Sequence, residues 1–240
     1  MAQHGKKYIE AVKKIDPKRD YSLADAVKLL KETSYVKFNE TVELHARLGI
    51  DPRHSDQQVR TTVLLPAGLG KSVRILVFAE GEAARAAEAA GADYVAGDEM
   101  IAKIRNDEWT DFDVAISVPD MMRKVGGLGK VLGRKGLMPN PKAGTVVNPE
   151  DLNRAVSEAR AGRVEFRNDK TGNVHIPLGK IQFTEAQIME NLVAVLDALR
   201  RAKPSTSKGT YIKRIVLTST MGPGIRLDAN VAMNVGVVEA

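Results

Sequence analysis

Cysteine is absent from the 240 residues, which excludes disulfides and thiolate metal sites and fits a reducing compartment. Aromatic side chains make up 5%, too few for a protein that reads single strands by stacking bases on aromatic platforms. No apolar run approaches the roughly 20 residues that span a bilayer. The opening stretch, MAQHGKKYIEAVKK, lacks the apolar segment of a secretion signal. A soluble cytoplasmic protein with no membrane partner is therefore expected. The histidines His4, His45, His54 and His175 are scattered, without metal-ligand spacing. There is no Gly-x-Ser-x-Gly elbow and no carboxylate pair placed for acid–base work. Gly70-Lys71-Ser72 ends like a phosphate loop, but Leu65 stands where its first glycine belongs, and the tripeptide precedes a strand. Gly127-Leu-Gly129-Lys-Val-Leu-Gly133 is one residue too long for a dinucleotide fingerprint. No metal, no cofactor and no catalytic residue are expected.

What is present is a chain that is 43% apolar and carries a net charge of +6, able to bury a sizeable core and mildly suited to a polyanion. Ser22 is placed to cap a helix with Leu23, Val27 and Leu30 on one face. Val42, Leu44, Ala46, Leu48 and Ile50 then alternate with Thr41, Glu43, His45 and Arg47, the pattern of a half-buried strand. After Asp51-Pro52, residues 58–65 look like its antiparallel hairpin partner.

The texture changes at Pro66, Gly68 and Gly70. Residues 73–78 are nearly all apolar, as in a strand covered on both faces. Helices at 82–90 and 98–106 alternate with strands near 93–95 and 113–118, and a helix near 149–160 closes this stretch. Such alternation implies parallel pairing. The first texture then returns. Residues 163–167 and 174–181 are predicted strands around a turn at 169–172. Thr184 and Gln187 form a capping box for a helix carrying Ile188, Leu192, Val195, Leu196 and Leu199, which ends before Pro204. A last strand covers about 210–219. The fold class is α/β with two domains. A discontinuous α+β domain with a largely antiparallel sheet, 1–67 and 160–240, is interrupted by a Rossmann-like domain with a parallel sheet, 68–159. The two crossings, near 66–70 and 161–162, are expected side by side as a double hinge.

Charge follows this division. Residues 1–67 hold 12 basic and 9 acidic side chains, residues 160–240 hold 12 and 7, and residues 68–159 hold 12 and 14. The split domain is thus strongly positive and the insert slightly negative. Within the insert, 121–149 carries Arg123, Lys124, Lys130, Arg134, Lys135 and Lys142 and no acid. One charge run is ordinarily a solvated face. Two basic regions beside an acidic remainder point to nucleic acid. Three segments of the split domain have the small residues, hydroxyls and cations that shape recognition of folded RNA uses: 37–41 (KFNET), 167–172 (RNDKTG) and 218–224 (TSTMGPG).

These segments also carry a resemblance. Residues 37–66 (KFNETVELHARLGIDPRHSDQQVRTTVLLP), 125–147 (VGGLGKVLGRKGLMPNPKAGTVV), 167–180 (RNDKTGNVHIPLGK) and 218–224 are similar, in order, to the bacterial large-subunit ribosomal L-one family of the universal mobile stalk. Two departures are Arg134, where many relatives have proline, and the tail after Asp228, for which the resemblance places no counterpart. The resemblance implies a split first domain that binds a helical junction of large-subunit ribosomal RNA, and a stalk that helps deacylated tRNA leave the exit site. It also implies repression of the protein's own operon mRNA. Carried over by position, the ribosomal RNA set is Lys37, Phe38, Thr41, Lys170, Thr171, Gly172, Thr218, Thr220, Met221 and Gly222. In it, Lys37 and Lys170 meet phosphates, and the hydroxyls of Thr41, Thr218 and Thr220 meet ribose or phosphate oxygens. Met221 packs on a sugar or base, and Gly222 permits close approach. The strip Arg123, Lys124, Lys130, Arg134, Lys135 and Lys142 is the candidate tRNA contact. The free protein is expected to be a monomer. Two other readings stay open on sequence alone: an autonomous RNA-binding repressor, and an α/β enzyme acting on a phosphorylated small molecule.

Overall fold

The computed structural model describes residues 5–234. In chain order the strands are β1 (Thr41–Leu48), β2 (Arg60–Leu64), β3 (Ile75–Phe78), β4 (Tyr94–Ala96), β5 (Val114–Ser117), β6 (Arg163–Arg167), β7 (Asn173–Lys180), β8 (Ile212–Ser219) and β9 (Ile225–Leu227). The helices are α1 (Lys6–Lys13), α2 (Leu23–Thr33), α3 (Glu82–Ala89), α4 (Asp98–Asp107), α5 (Met122–Val125), α6 (Gly129–Lys135), α7 (Leu152–Ala161), α8 (Glu185–Arg201) and α9 (Ala229–Asn234). They form two compact units. The first comprises the chain up to Gly70 and from Val164 onward, and the second is Lys71–Arg163.

The first unit is built on a four-stranded antiparallel sheet in the order β7-β1-β8-β9. The alternation seen in β1 sets its two faces. Val42, Leu44, Ala46 and Leu48 are buried together with Val174, Ile176 and Leu178 of β7 and Ile215 and Leu217 of β8. Helices α2 and α8 supply Val27, Leu30, Leu192, Val195, Leu196 and Leu199 to the same core. Each helix starts on a side-chain cap: Ser22 accepts from the Asp25 N–H, and Thr184 and Gln187 form the full capping box. Such a cap contributes about 1 kcal/mol. The opposite face of the sheet turns polar side chains outward, with Arg47, His175, Arg214 and Arg226 exposed.

The expected hairpin of β1 with β2 does not form. β1 lies between β7 and β8, and β2 pairs with β6 in a separate two-stranded sheet. Two physical reasons are visible. The connection after β1 folds into its own turn, where the Asp51 N–H donates to Gln57 Oε1 at 2.8 Å and a short 3₁₀ turn spans Ser55–Gln57. The end of β6 then takes β2 in hand: Val59 N–H donates to Asn168 Oδ1 at 2.7 Å, and Asn168 N–H donates to the Val59 carbonyl at 3.0 Å. The predicted strands at 163–167 and 174–181 both exist, but they serve different sheets and meet only through the bridge between Asn168 and Val174.

One buried polar side chain fixes where the chain leaves this unit. Asn191 of α8 is fully buried; its Oδ1 accepts from Ala67 N–H at 2.9 Å, and its Nδ2 donates to the carbonyls of Gly68 at 2.9 Å and Leu178 at 2.6 Å. Nearby, Gly70 has φ +67° and Gly179 φ +146°, and a Cβ on either would lie 2.6–2.7 Å from the Phe183 ring. Glycine is needed at both positions for backbone shape and for space.

The second unit is a three-stranded parallel sheet, β4-β3-β5, with β3 central and every one of its residues buried. This accounts for the continuous apolar run of the sequence. Helices α3, α4 and α7 supply Ala87, Ile101, Ile104, Leu152 and Val156 to the core. Among the described residues, no helix is long and apolar enough to cross a membrane, and no group of three His, Asp or Glu is arranged to hold a metal.

Candidate nucleic-acid interface

The register of β1 divides the predicted RNA set into two clusters. At one end, Glu43 lies opposite Thr218 and Val42 opposite Ser219. The segments 37–41 and 218–222, about 180 residues apart in sequence, therefore meet. At the other end, Arg47 lies opposite Asn173, and the Leu48 N–H donates to the Gly172 carbonyl at 2.8 Å. The turn at 169–172 is thus a full strand away, about 23 Å at roughly 3.3 Å per residue.

The first cluster is latched by Glu40, a residue that was not among those predicted. It is 1% exposed. Its Oε1 accepts from the Met221 N–H at 2.8 Å, its Oε2 accepts from the Ser34 hydroxyl at 2.7 Å, and its carbonyl accepts from Ile181 N–H. The Tyr35 hydroxyl donates to the Met221 carbonyl at 2.8 Å. With its backbone gripped on both sides, Met221 presents its side chain outward at 49% exposure, and Phe38 of the facing segment is 53% exposed. Lys37 is exposed and has no side-chain partner among the described residues.

The threonines have structural duties as well. The Thr220 hydroxyl accepts from Thr41 N–H at 3.0 Å and lies 3.4 Å from the Thr41 carbonyl. The Thr218 hydroxyl donates to the carbonyls of Ser219 and Gly222, so its lone pairs are left to accept. The Thr41 hydroxyl accepts from Lys180 Nζ at 2.9 Å, so its own proton is left to donate. At Gly222 a Cβ would run into the Ser219 hydroxyl.

The second cluster is an Asp169-centred turn. Asp169 Oδ1 accepts from the N–H groups of Thr171 and Asn173 at 2.8 and 2.7 Å, and the Thr171 hydroxyl donates to the same carboxylate. Burial works to raise its pKa, but the bonds from Asn173 and Thr171 together hold it well below the usual carboxylate range. Gly172 takes φ +80° to close the turn. Thr171 is thus spent on the turn, and Lys170 is left exposed with no partner among the described residues. A groove beside it is lined by Arg60, Phe166, Arg167, Lys170 and His175.

Between the clusters, His45 and His175 face each other across the sheet with Nδ1 atoms 2.8 Å apart. Only one of the two can carry its proton on that bond. Glu43 lies 3.7 Å from His45 Nε2, and Asp169 lies 3.9 Å from His175 Nε2. Desolvation, and then His175, lower the pKa of His45 from its ordinary 6.5, with Glu43 opposing. Neutral His45 thus contributes stability above about pH 6.5 that is lost as pH falls through the lowered folded value, because the unfolded chain takes the proton more readily. Melting temperature should therefore fall between about pH 7 and pH 5, and His45→Gln should flatten that fall. An unaltered slope in the variant would assign the pH dependence elsewhere.

In the second unit, the acid-free strip 121–149 forms α5, α6 and short 3₁₀ turns, and acids from outside the strip pair with two of its six cations while a hydroxyl takes a third. Lys124 Nζ pairs with Glu80 at 2.6 Å and Asp98 at 2.8 Å, and its pKa is raised by the bonds to Asp98 and Glu80. Arg134 pairs with Glu108 at 3.1 Å. The Lys135 ammonium donates to the Thr110 hydroxyl. Arg123, Lys130 and Lys142 are exposed and unpartnered among the described residues.

Residues 30–223 match the profile of the ribosomal protein L1p/L10e family. Over 234 residues the chain is 58% identical to "Large ribosomal subunit protein uL1" of Chloroflexus aggregans, with 98% of this chain and 99% of that protein covered. Proteins of the same name from Dehalococcoides mccartyi and Thermomicrobium roseum are 55% and 54% identical, over 99% and 95% of this chain and 100% and 95% of their own lengths. The chain belongs to the ribosomal protein L1p/L10e family.

Proposed function

We propose that this protein is a structural component of the large ribosomal subunit that binds large-subunit ribosomal RNA directly through its first unit. The observation that carries this reading is the meeting of segments 37–41 and 218–222 at one end of β1, held rigid by buried Glu40 with Phe38 and Met221 projecting outward. A preorganised backbone with outward apolar and cationic side chains suits a folded RNA surface. Lys37 and Lys170 meet phosphates. The free lone pairs of Thr218 and the free proton of Thr41 meet ribose 2′-hydroxyls or phosphate oxygens. Thr220 and Thr171 act mainly by holding the backbone that does so.

On this reading the free protein is a cytoplasmic monomer, and the bound protein is part of the stalk beside the exit site. Arg123, Lys130 and Lys142 are then the cations of the strip best able to attract deacylated tRNA, while Lys124, Arg134 and Lys135 shape the surface they stand on. The protein's own operon mRNA, folded to resemble the ribosomal site, competes for the same first-unit surface and is repressed by it. No reaction is assigned to the protein.

The test is the salt dependence of binding to an in vitro transcript of large-subunit ribosomal RNA. Each phosphate contact contributes close to one unit to the log–log slope. Lys170→Ala should lower the slope by about 1 and weaken specific and non-specific RNA alike. Equal slopes for the variant and the wild type would remove Lys170 from the interface.

A further inference from the structure

The open face of the first sheet carries cations that neither the predicted set nor the latch explains. Arg47 of β1 lies directly opposite Arg214 of β8. Directly opposed residues in an antiparallel pair have Cα atoms about 4.5–5.5 Å apart, and like charges so placed are destabilising. Arg226 of β9 lies opposite Val216, which makes it the diagonal neighbour of Arg214, at about 7–8 Å. All three arginines are exposed. Among the described residues none has a side-chain hydrogen bond or ion pair. Of the acids near this face, Glu43 sits two rows away, 3.7 Å from His45, Asp169 is engaged by the Asn173 that lies opposite Arg47, and Asp228, which follows Leu227, accepts from the N–H groups of Asn230 and Val231. Other arginines of this chain, such as Arg60, Arg74 and Arg163, do find carboxylates. An opposed pair whose guanidinium groups make no ion pair among the described residues is a cost in the free protein that a bound polyanion relieves.

Position gives the row its meaning. Arg47 is paired with Asn173, so the row begins beside the Asp169 turn with Lys170. It crosses β8 at Arg214 to Arg226 of β9, one pair nearer the loop at 218–222 that joins those two strands. We infer that Arg47, Arg214 and Arg226 form a phosphate-binding row that joins the two clusters, so that one RNA backbone runs along the sheet from the turn at 169–172 to the loop at 218–222. This rests on the RNA-binding reading above and adds to it a path and three contacts. Guanidinium groups suit the task, since they hold phosphate through paired N–H donors and stay charged at all working pH values.

The experiment measures affinity for the large-subunit ribosomal RNA transcript across a salt series, with the full-length chain as wild type, Arg47→Gln/Arg214→Gln, Arg226→Gln and Lys170→Ala. Each arginine removed should cost about 1 unit of slope and roughly fivefold in affinity near 0.15 M salt, the factor that one released counterion carries relative to 1 M. The melting temperature of the free double variant should stay level or rise, because an opposed like-charge pair has gone. Wild-type slope and affinity in the double variant would overturn the inference. So would weaker binding with an unchanged slope and a lower melting temperature, which would mark the arginines as structural. If Lys170→Ala responds while the arginine variants do not, the path is wrong and the RNA-binding reading stands. If the wild type itself does not bind the transcript, that reading fails first.

Discussion

Glu40→Ala is expected to cost about 2–4 kcal/mol of first-unit stability and at least tenfold in ribosomal RNA affinity. The stability figure follows from a buried carboxylate that satisfies the Met221 N–H and the Ser34 hydroxyl. Removing it strands both donors and leaves a void. The affinity figure follows from geometry. Met221 is presented because its N–H is held by Glu40 and its carbonyl by Tyr35, and a loosened loop must be ordered again on binding. Glu40→Gln should keep most of both properties, because an amide oxygen can serve Met221 and its nitrogen can donate to a rotated Ser34 hydroxyl. Urea melts and filter binding on the two variants read these quantities separately. Wild-type affinity in Glu40→Ala would show that the 218–222 loop does not need its latch.

Asn191→Leu should be more damaging to stability, at about 3–5 kcal/mol, and should spare the exposed interface. The side chain is fully buried and serves one backbone N–H and two backbone carbonyls. Leucine matches its volume but leaves one buried carbonyl and two partly buried backbone groups without their partner, each costing about 1–3 kcal/mol less whatever water and relaxation recover. Thr184→Ala, which removes only a cap at the start of the same helix, should cost about 1 kcal/mol. Chemical denaturation of the two variants side by side checks the ranking. A loss for Asn191→Leu no larger than that for Thr184→Ala would mean that the segment at 67–68 is not held through this residue.

These expectations show which features local sequence encodes. The alternation of β1, the buried run of β3 and the Thr184–Gln187 box are signals within a few residues, and each is found where the pattern puts it. The partners of β1 are not local. Residues 173–180 and 212–219 bind its two edges from more than a hundred residues away, whereas the nearest strand in sequence is captured by Asn168. The short strand β9 and helix α9 follow the last predicted element, and the tail after Asp228, expected to stand apart from the family, is matched as well, since the Dehalococcoides mccartyi protein aligns over 238 residues of this chain.

The site shows the same limit. Residue type singled out the segments at 37–41, 167–172 and 218–224. It did not reveal that β1 sets them at two ends of one strand, nor that the Thr171 hydroxyl is bound to the Asp169 carboxylate and the Thr220 hydroxyl to the Thr41 N–H. The role of Glu40 is not legible in the sequence, because an acid beside a lysine in a polar segment looks like a solvated charge until its burial is known. Asn191 carried a weak signal, as a polar residue beside Ile188 and Leu192 on the buried face of α8. The strip at 121–149 is acid-free only in sequence. In space, Glu80, Asp98 and Glu108 come to it.

The central claim is that the exposed side chains at the first-unit clusters, and not the basic strip of the second unit, anchor the protein on ribosomal RNA. Phe38, Lys37, Met221 and Lys170 project outward without side-chain partners that hold the fold, so truncating them to alanine should leave the melting curve unchanged. The most direct measurement is the dissociation constant of the full-length chain for the large-subunit ribosomal RNA transcript. It compares wild type with Lys37→Ala/Phe38→Ala/Lys170→Ala/Met221→Ala and with Arg123→Ala/Lys130→Ala/Lys142→Ala. The first variant should bind at least about 100-fold more weakly, at roughly 1 kcal/mol or more per lost contact, and the second should stay within about threefold of wild type. Near-wild-type affinity in the first variant, with a large loss in the second, would contradict the account.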